Sequence, residues 1–150
     1  AARSGKAGLR YHKTPSDPAD ENVHIDQVVN VQPHSLYLAR AYFKSPTGLR
    51  PTLRVATMDW KTLAFEKPPV ADSWQRVRIL FRTNDNSKVR FQIFGGATVG
   101  MRGTKPGKSF CDDTLLRKVT PAERQGLTRA DVTVDVGSGK GEIDRRLSFL

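Results

Sequence analysis

The chain has 150 residues and a single cysteine, Cys111, which rules out an intramolecular disulfide and a zinc site built on several thiolates. No apolar run approaches the roughly 18 residues that a membrane-spanning helix requires. Its three histidines, His12, His24 and His34, lack metal-ligand spacing, and no Gly-x-Ser-x-Gly nucleophile elbow occurs. Scattered acids such as Asp26 and Asp59 sit in no pattern that pairs them as the acid and base of a glycosidase. Long amphipathic helical periodicity is missing as well, and the opening Ala1-Ala2-Arg3-Ser4-Gly5 carries no apolar export-signal core. These absences exclude the common enzyme constellations and leave stability to burial in one core, which a chain of this size supports by removing roughly 70% of its extended surface from water.

Positive charge is in excess. Lys and Arg number 25 against 15 Asp and Glu, a formal charge of +10, and such a field concentrates polyanions near the surface. Nucleic acid, acidic polysaccharide and anionic lipid all satisfy that requirement. The main local signal is period-two alternation in short runs rich in β-branched and aromatic residues. Strands are expected over 7–12, 23–32, 35–44, 52–58, 74–83, 88–94 and 109–117. Turn-forming clusters separate them: Pro33-His34, Ser45-Pro46-Thr47-Gly48, Pro68-Pro69, Asn84-Asp85-Asn86-Ser87 and Gly95-Gly96. In the fifth run Val77, Ile79 and Phe81 alternate with Arg76, Arg78, Leu80 and Arg82, as in an antiparallel strand with one packed and one wet face. Seven such runs predict an all-β fold, a two-sheet antiparallel β-sandwich of the jelly-roll kind. Pro121 after a Thr cap predicts a helical turn over 120–128, and a strand pattern restarts over 130–136.

Four pieces of sequence share an order with a known group of proteins. They are Ser4-Gly5-Lys6-Ala7-Gly8-Leu9-Arg10; Val28-Val29-Asn30-Val31-Gln32-Pro33-His34-Ser35-Leu36-Tyr37-Leu38; Trp74-Gln75-Arg76-Val77 with Phe81-Arg82-Thr83; and Ser109-Phe110-Cys111-Asp112-Asp113-Thr114-Leu115-Leu116. Together they resemble the jelly-roll carbohydrate-binding modules of families four, nine, sixteen and twenty-two, over about residues 4 to 119. The family's first strand, with its Asn-Gly-x-Phe-Glu turn, has no counterpart here. The resemblance implies a non-catalytic, secreted module over 1–119, monomeric within a larger chain, which targets an attached polysaccharide-degrading enzyme to its polymer. Residues 120–150 are then a linker and the start of a catalytic domain, with Val132-Thr133-Val134-Asp135 and Lys140-Gly141-Glu142-Ile143 resembling the entry into a glycoside hydrolase. A structural calcium is also implied, with Asp112 as its carboxylate ligand and Gly5 or Lys6 offering a carbonyl.

If the resemblance holds, the ligand lies across the outward side chains of one sheet made from 35–44, 52–58 and 88–94. Alternation then selects Arg40, Tyr42, Arg54, Met58, Trp60, Arg90 and Gln92 as carbohydrate-binding residues. A guanidinium holds carboxylate or sulfate through paired hydrogen bonds, an aromatic ring covers a pyranose face, and an amide serves hydroxyls. Three arginines on one face point to an acidic glycan. Any one of them is equally well read as a solvated surface charge, and Trp74 is read as core. A basic nucleic-acid-binding β domain is the alternative, motivated by the charge, although no RNA-recognition or zinc-finger signature is present. Asp135-Val136-Gly137-Ser138-Gly139-Lys140-Gly141 resembles a methyltransferase cofactor loop, but too few residues follow to build a doubly wound sheet.

Overall fold

A computed structural model describes residues 2–18, 23–96 and 106–132, with side chains to 126. Among these residues eight strands form two four-stranded antiparallel sheets. The first sheet is built from β1 (Leu9–Lys13), β8 (Gly107–Lys118), β3 (Leu36–Lys44) and β6 (Gln75–Arg82), in that order. The second is built from β2 (His24–Asn30), β7 (Lys88–Phe94), β4 (Thr52–Ala56) and β5 (Thr62–Glu66). The expected all-β sandwich is what forms.

Alternation decides which side chains fill the space between the sheets. Tyr37, Ala39, Ala41 and Phe43 of β3 share one core with Val77, Ile79 and Phe81 of β6. From the second sheet Leu53 and Val55 of β4 and Val89, Phe91 and Ile93 of β7 meet them, and Cys111 of β8 lies in the same cluster. Burial pushes the Cys111 thiol up to about 12, with the Asp112 charge acting in the same direction, so it behaves as an inert small apolar residue.

The structure departs from the sequence expectations in three places. Strand β5 was not expected; its Thr-Leu-Ala-Phe-Glu pattern is short and contains Ala and Glu, which are poor strand formers. Trp74 precedes β6, is half-buried, and lies outside the core cluster, which Val77, Ile79 and Phe81 supply instead. The helical turn grows into α1 (Pro121–Val132), so the first residues of the strand expected over 130–136 are helical. The rest of that strand, and the glycine-rich Asp135 to Gly141 segment, lie outside the described residues. Helix α1 starts with a capping box: Glu123 donates its amide hydrogen to Thr120 Oγ1 at 3.2 Å, while the Glu123 carboxylate accepts the Thr120 amide at 2.8 Å. The Arg117 guanidinium, with the Thr120 amide and hydroxyl that also donate to the carboxylate, pulls the Glu123 carboxyl down to about 2.

Phe43 is 1% exposed at the inward row of β3, a strand paired on both sides. Phe43→Ala should destabilise the fold by about 3–5 kcal/mol through lost burial and the cavity left behind, measured by urea unfolding.

Candidate functional site

The turn from β4 to β5 carries the most unusual backbone on the second sheet. Trp60 has φ of 69°, a left-handed conformation that a bulky residue adopts only when its surroundings hold it there. The holding groups are specific. Trp60 donates its amide hydrogen to the Thr57 carbonyl at 3.1 Å, and Thr57 and Lys61 close the turn through Thr57 N–H to the Lys61 carbonyl at 2.9 Å. The Lys61 amide donates to Thr57 Oγ1 at 3.0 Å. The Thr57 hydroxyl also donates to Asp59, and this bond is the main reason the Asp59 carboxyl lies below its ordinary range.

Arg54 ties the turn to the sheet. Its Nη2 donates to the Trp60 carbonyl at 2.6 Å, its Nε to Thr62 Oγ1 at 3.0 Å and its Nη1 to Gln92 Oε1 at 3.1 Å. One guanidinium therefore joins β4, β5, β7 and the turn. The indole comes to rest with the Arg90 guanidinium 4.0 Å from its ring centre and His24 edge-on at 6.2 Å. In register the Asp26–Gln92 pair falls between the His24–Phe94 and Val28–Arg90 pairs. Arg90 donates to the Asp26 carboxylate, and His24 stacks on Phe94 at 4.8 Å.

This outer face is apolar above and polar beneath. Trp60 remains 49% exposed and Phe65, beside Arg54 in register, 57% exposed, with Val28 on β2 also exposed. On the neighbouring strands β4 and β7, Thr52 and Gln92 are fully buried. Gln92 Nε2, Thr52 Oγ1 and Arg90 Nε have no hydrogen-bond partner among the described residues.

Of the residues selected from the sequence, Arg54, Trp60, Arg90 and Gln92 come together here, and Met58 is exposed in the adjoining turn. Arg40 and Tyr42 do not join them. Their strand, β3, belongs to the first sheet, and both side chains point outward on the opposite side of the sandwich. Alternation fixes which residues of a strand point the same way, but it carries no information about which sheet the strand enters. His24, Asp26, Thr52, Thr62 and Phe65 were missed. The alternation of His24, Asp26 and Val28 was legible, but nothing local placed that strand beside β7.

No protein-family model matches the chain, and neither does any curated protein. Among solved structures it superposes on a CBM4 module with a TM-score of 0.54 at 12% identity, over 64% of this chain and 61% of that one. It superposes on the sugar-binding C-terminal domain of EclA with a TM-score of 0.54 at 9% identity, over 78% of this chain and 81% of that one. For CBM61, solved with β-1,4-galactotriose, the TM-score is 0.51 at 16% identity, over 79% and 74% of the two chains. The fold is that of the jelly-roll carbohydrate-binding modules. At these identities the likeness is one of fold.

In such a module fold the expected calcium would sit at Asp112. Here Asp112 Oδ2 accepts the amide hydrogens of Arg3 at 2.7 Å and Ser4 at 3.1 Å, and Oδ1 accepts that of Asp113 at 2.8 Å. The Asp113 carboxylate pairs with the Arg3 guanidinium. Gly5, at φ of 64°, and Lys6 follow as exposed residues, and no three His, Cys, Asp or Glu converge among the described residues. A hard cation takes oxygen ligands, whereas these carboxylates face N–H donors and a guanidinium, so the arrangement does not fit calcium. The pair instead anchors the N-terminal segment to β8.

The Ser4 amide first, with those of Asp113 and Arg3, holds the Asp112 carboxyl below its ordinary 3.8. A carboxyl lowered on folding contributes its stability above the unfolded value and loses it as pH falls through the folded one. The protection factors of the Arg3 and Ser4 amides, exchange measured relative to the intrinsic rate at each pH, should therefore fall as the solution is taken below pH of about 4, and Asp112→Asn should lower them at neutral pH. Adding calcium should leave both the exchange and the melting temperature unchanged.

Proposed function

We propose that the chain binds carbohydrate without catalysis, on the outer face of the second sheet, and that Trp60 and Phe65 form its sugar platform. The observation that carries this reading is a strained, tethered tryptophan, half exposed on the same outer face as the exposed ring of Phe65. Sugars present both chemistries at once. The C–H face of a pyranose stacks on an aromatic ring, while its hydroxyls both donate and accept. Holding Trp60 in place before the ligand arrives removes an ordering cost from binding.

Arg54 and Arg90 are engaged within the protein, through the Trp60 carbonyl, Gln92 and Asp26. Their first role is to shape the platform, and the stretch of glycan seated here is rich in hydroxyls. We place the module at 1–119, with 120–150 as linker to a secreted polysaccharide-degrading enzyme that the module, monomeric in its own right, keeps near its polymer by raising effective concentration. The module fold supports this reading, and no helix among the described residues is long and apolar enough to cross a membrane.

Affinity electrophoresis against xylan, β-glucan and β-galactan tests the reading. One or more of these polymers should retard the protein. Trp60→Ala and Phe65→Ala should each weaken that binding by about tenfold or more, the scale of an aromatic anchor in an interface, with melting temperatures nearly unchanged. Retention of full binding by both variants would remove the platform from the proposal. If single-stranded nucleic acid alone retards the protein, the basic nucleic-acid-binding domain is the correct description.

A further inference from the structure

We infer that the outer face of the first sheet is a second, independent binding surface, and that it takes polysaccharide bearing carboxylate or sulfate groups. On β6, Arg76, Arg78 and Arg82 all point outward and are exposed. Same-face neighbours along a strand lie roughly 7 Å apart, which brings Arg76 and Arg78 within reach of successive charges on an extended polyanion. Arg40 of β3 is the direct cross-strand partner of Arg78, and Tyr42 that of Arg76. Two guanidinium groups opposite each other repel, an arrangement that a bound anion relieves.

The charge on this face is uncompensated. The ion pairs among the described residues use Arg3, His34, Lys44, Lys61, Arg90 and Arg117, and none uses Arg40, Arg76, Arg78 or Arg82. Arg40 Nε is buried and has no hydrogen-bond partner among the described residues. The acids nearest in register, Asp112 and its neighbour Asp113, are already taken by the N-terminal amides, the Ser4 hydroxyl and Arg3.

The contrast with the second sheet is one of chemistry. There Arg90 lies against the Trp60 ring and Arg54 is tied to the turn; here Arg76, Arg78 and Arg82 stand exposed, with the planar fork that matches carboxylate and sulfate. Nucleic acid fits less well, since single-strand binding relies on aromatic stacking platforms. Tyr42, the cross-strand partner of Arg76, already carries the Arg3 guanidinium at 3.7 Å and Arg40 at 5.7 Å, so its ring is engaged within the protein. This inference extends the proposed function but does not need it, because the two surfaces lie on opposite sides of the sandwich.

The test compares binding of the full chain to dextran, dextran sulfate, polygalacturonate and oligodeoxythymidylate. Three proteins are set beside the parent: Arg76→Gln/Arg78→Gln/Arg82→Gln, a control with the same charge change in Arg50→Gln/Lys61→Gln/Lys88→Gln, and Trp60→Ala. The parent should bind dextran sulfate or polygalacturonate, ignore dextran, and lose its grip as salt rises toward about 1 M, where the screening length is about 3 Å. The β6 variant should bind the acidic polymer about tenfold or more weakly, with a shallower salt slope and an unchanged melting temperature. The control should retain most of the affinity, and Trp60→Ala should retain all of it. Equal losses in the two triple variants would reduce the effect to net charge and overturn the inference. Loss of acidic-polymer binding in Trp60→Ala would move that binding to the second sheet, overturning the inference while leaving the proposed function intact. Tighter binding of oligodeoxythymidylate than of either acidic polymer would overturn it in favour of nucleic acid.

Discussion

Two antiparallel sheets stacked face to face must fill a gap of about 10 Å with side chains from their inner faces alone. In this chain β3 carries most of that constraint. It pairs with β6 on one side and β8 on the other, and its inward row runs Tyr37, Ala39, Ala41, Phe43. The two alanines are fully buried and sit between aromatic neighbours, so the large rings have room in the middle of the core. Once that row is fixed inward, Arg40 and Tyr42 are fixed outward, and the whole thickness of the sandwich separates them from Arg54 and Arg90. The division of the molecule into two chemically different faces follows from this packing.

On the second sheet the consequence is a cover built over a polar floor. Gln92 takes the outward parity of β7 yet is fully buried and accepts a hydrogen bond from Arg54, while Arg90 lies against the Trp60 ring on the same face. The left-handed residue is what lets the turn fold back instead of leading straight away from the strand. Such strain persists only where surrounding contacts over-determine it, and here the Thr57 turn bonds and the Arg54 link to the Trp60 carbonyl do so.

The class of fold was legible from alternation and turn residues, because a half-buried strand imprints its period directly on the sequence. Seven of the eight strands among the described residues were visible in that way. The site was only half legible. Arg54, Trp60, Arg90 and Gln92 were found because β4 and β7 are neighbours and share outward parity; Arg40 and Tyr42 were grouped with them wrongly because parity repeats in every strand of both sheets. Strand order rests on contacts between residues far apart in the chain, such as Gln92 with Asp26 and Arg54, and no local pattern records them. Phe65 was overlooked for a simpler reason: its strand was not recognised, so it had no face to belong to. That the N-terminal segment offers its amides to Asp112 was not legible either, because the contact joins residues more than a hundred positions apart.

The two sets of arginines illustrate how one residue type acquires two roles from its surroundings. A guanidinium drawn under an indole loses much of its water, and a desolvated charge is tolerated only with partners, so Arg90 has Asp26 and Arg54 has three acceptors. Those partners fix the arginines in place and cancel or occupy much of what they would offer to a distant anion. Arg76, Arg78 and Arg82 stay in water, need no partner, and keep their field. Formal charge counted from the sequence weighs both sets alike. The excess of positive charge that acts at a distance is concentrated where the protein has left it solvated, and the charge that is buried acts instead as scaffolding for Trp60.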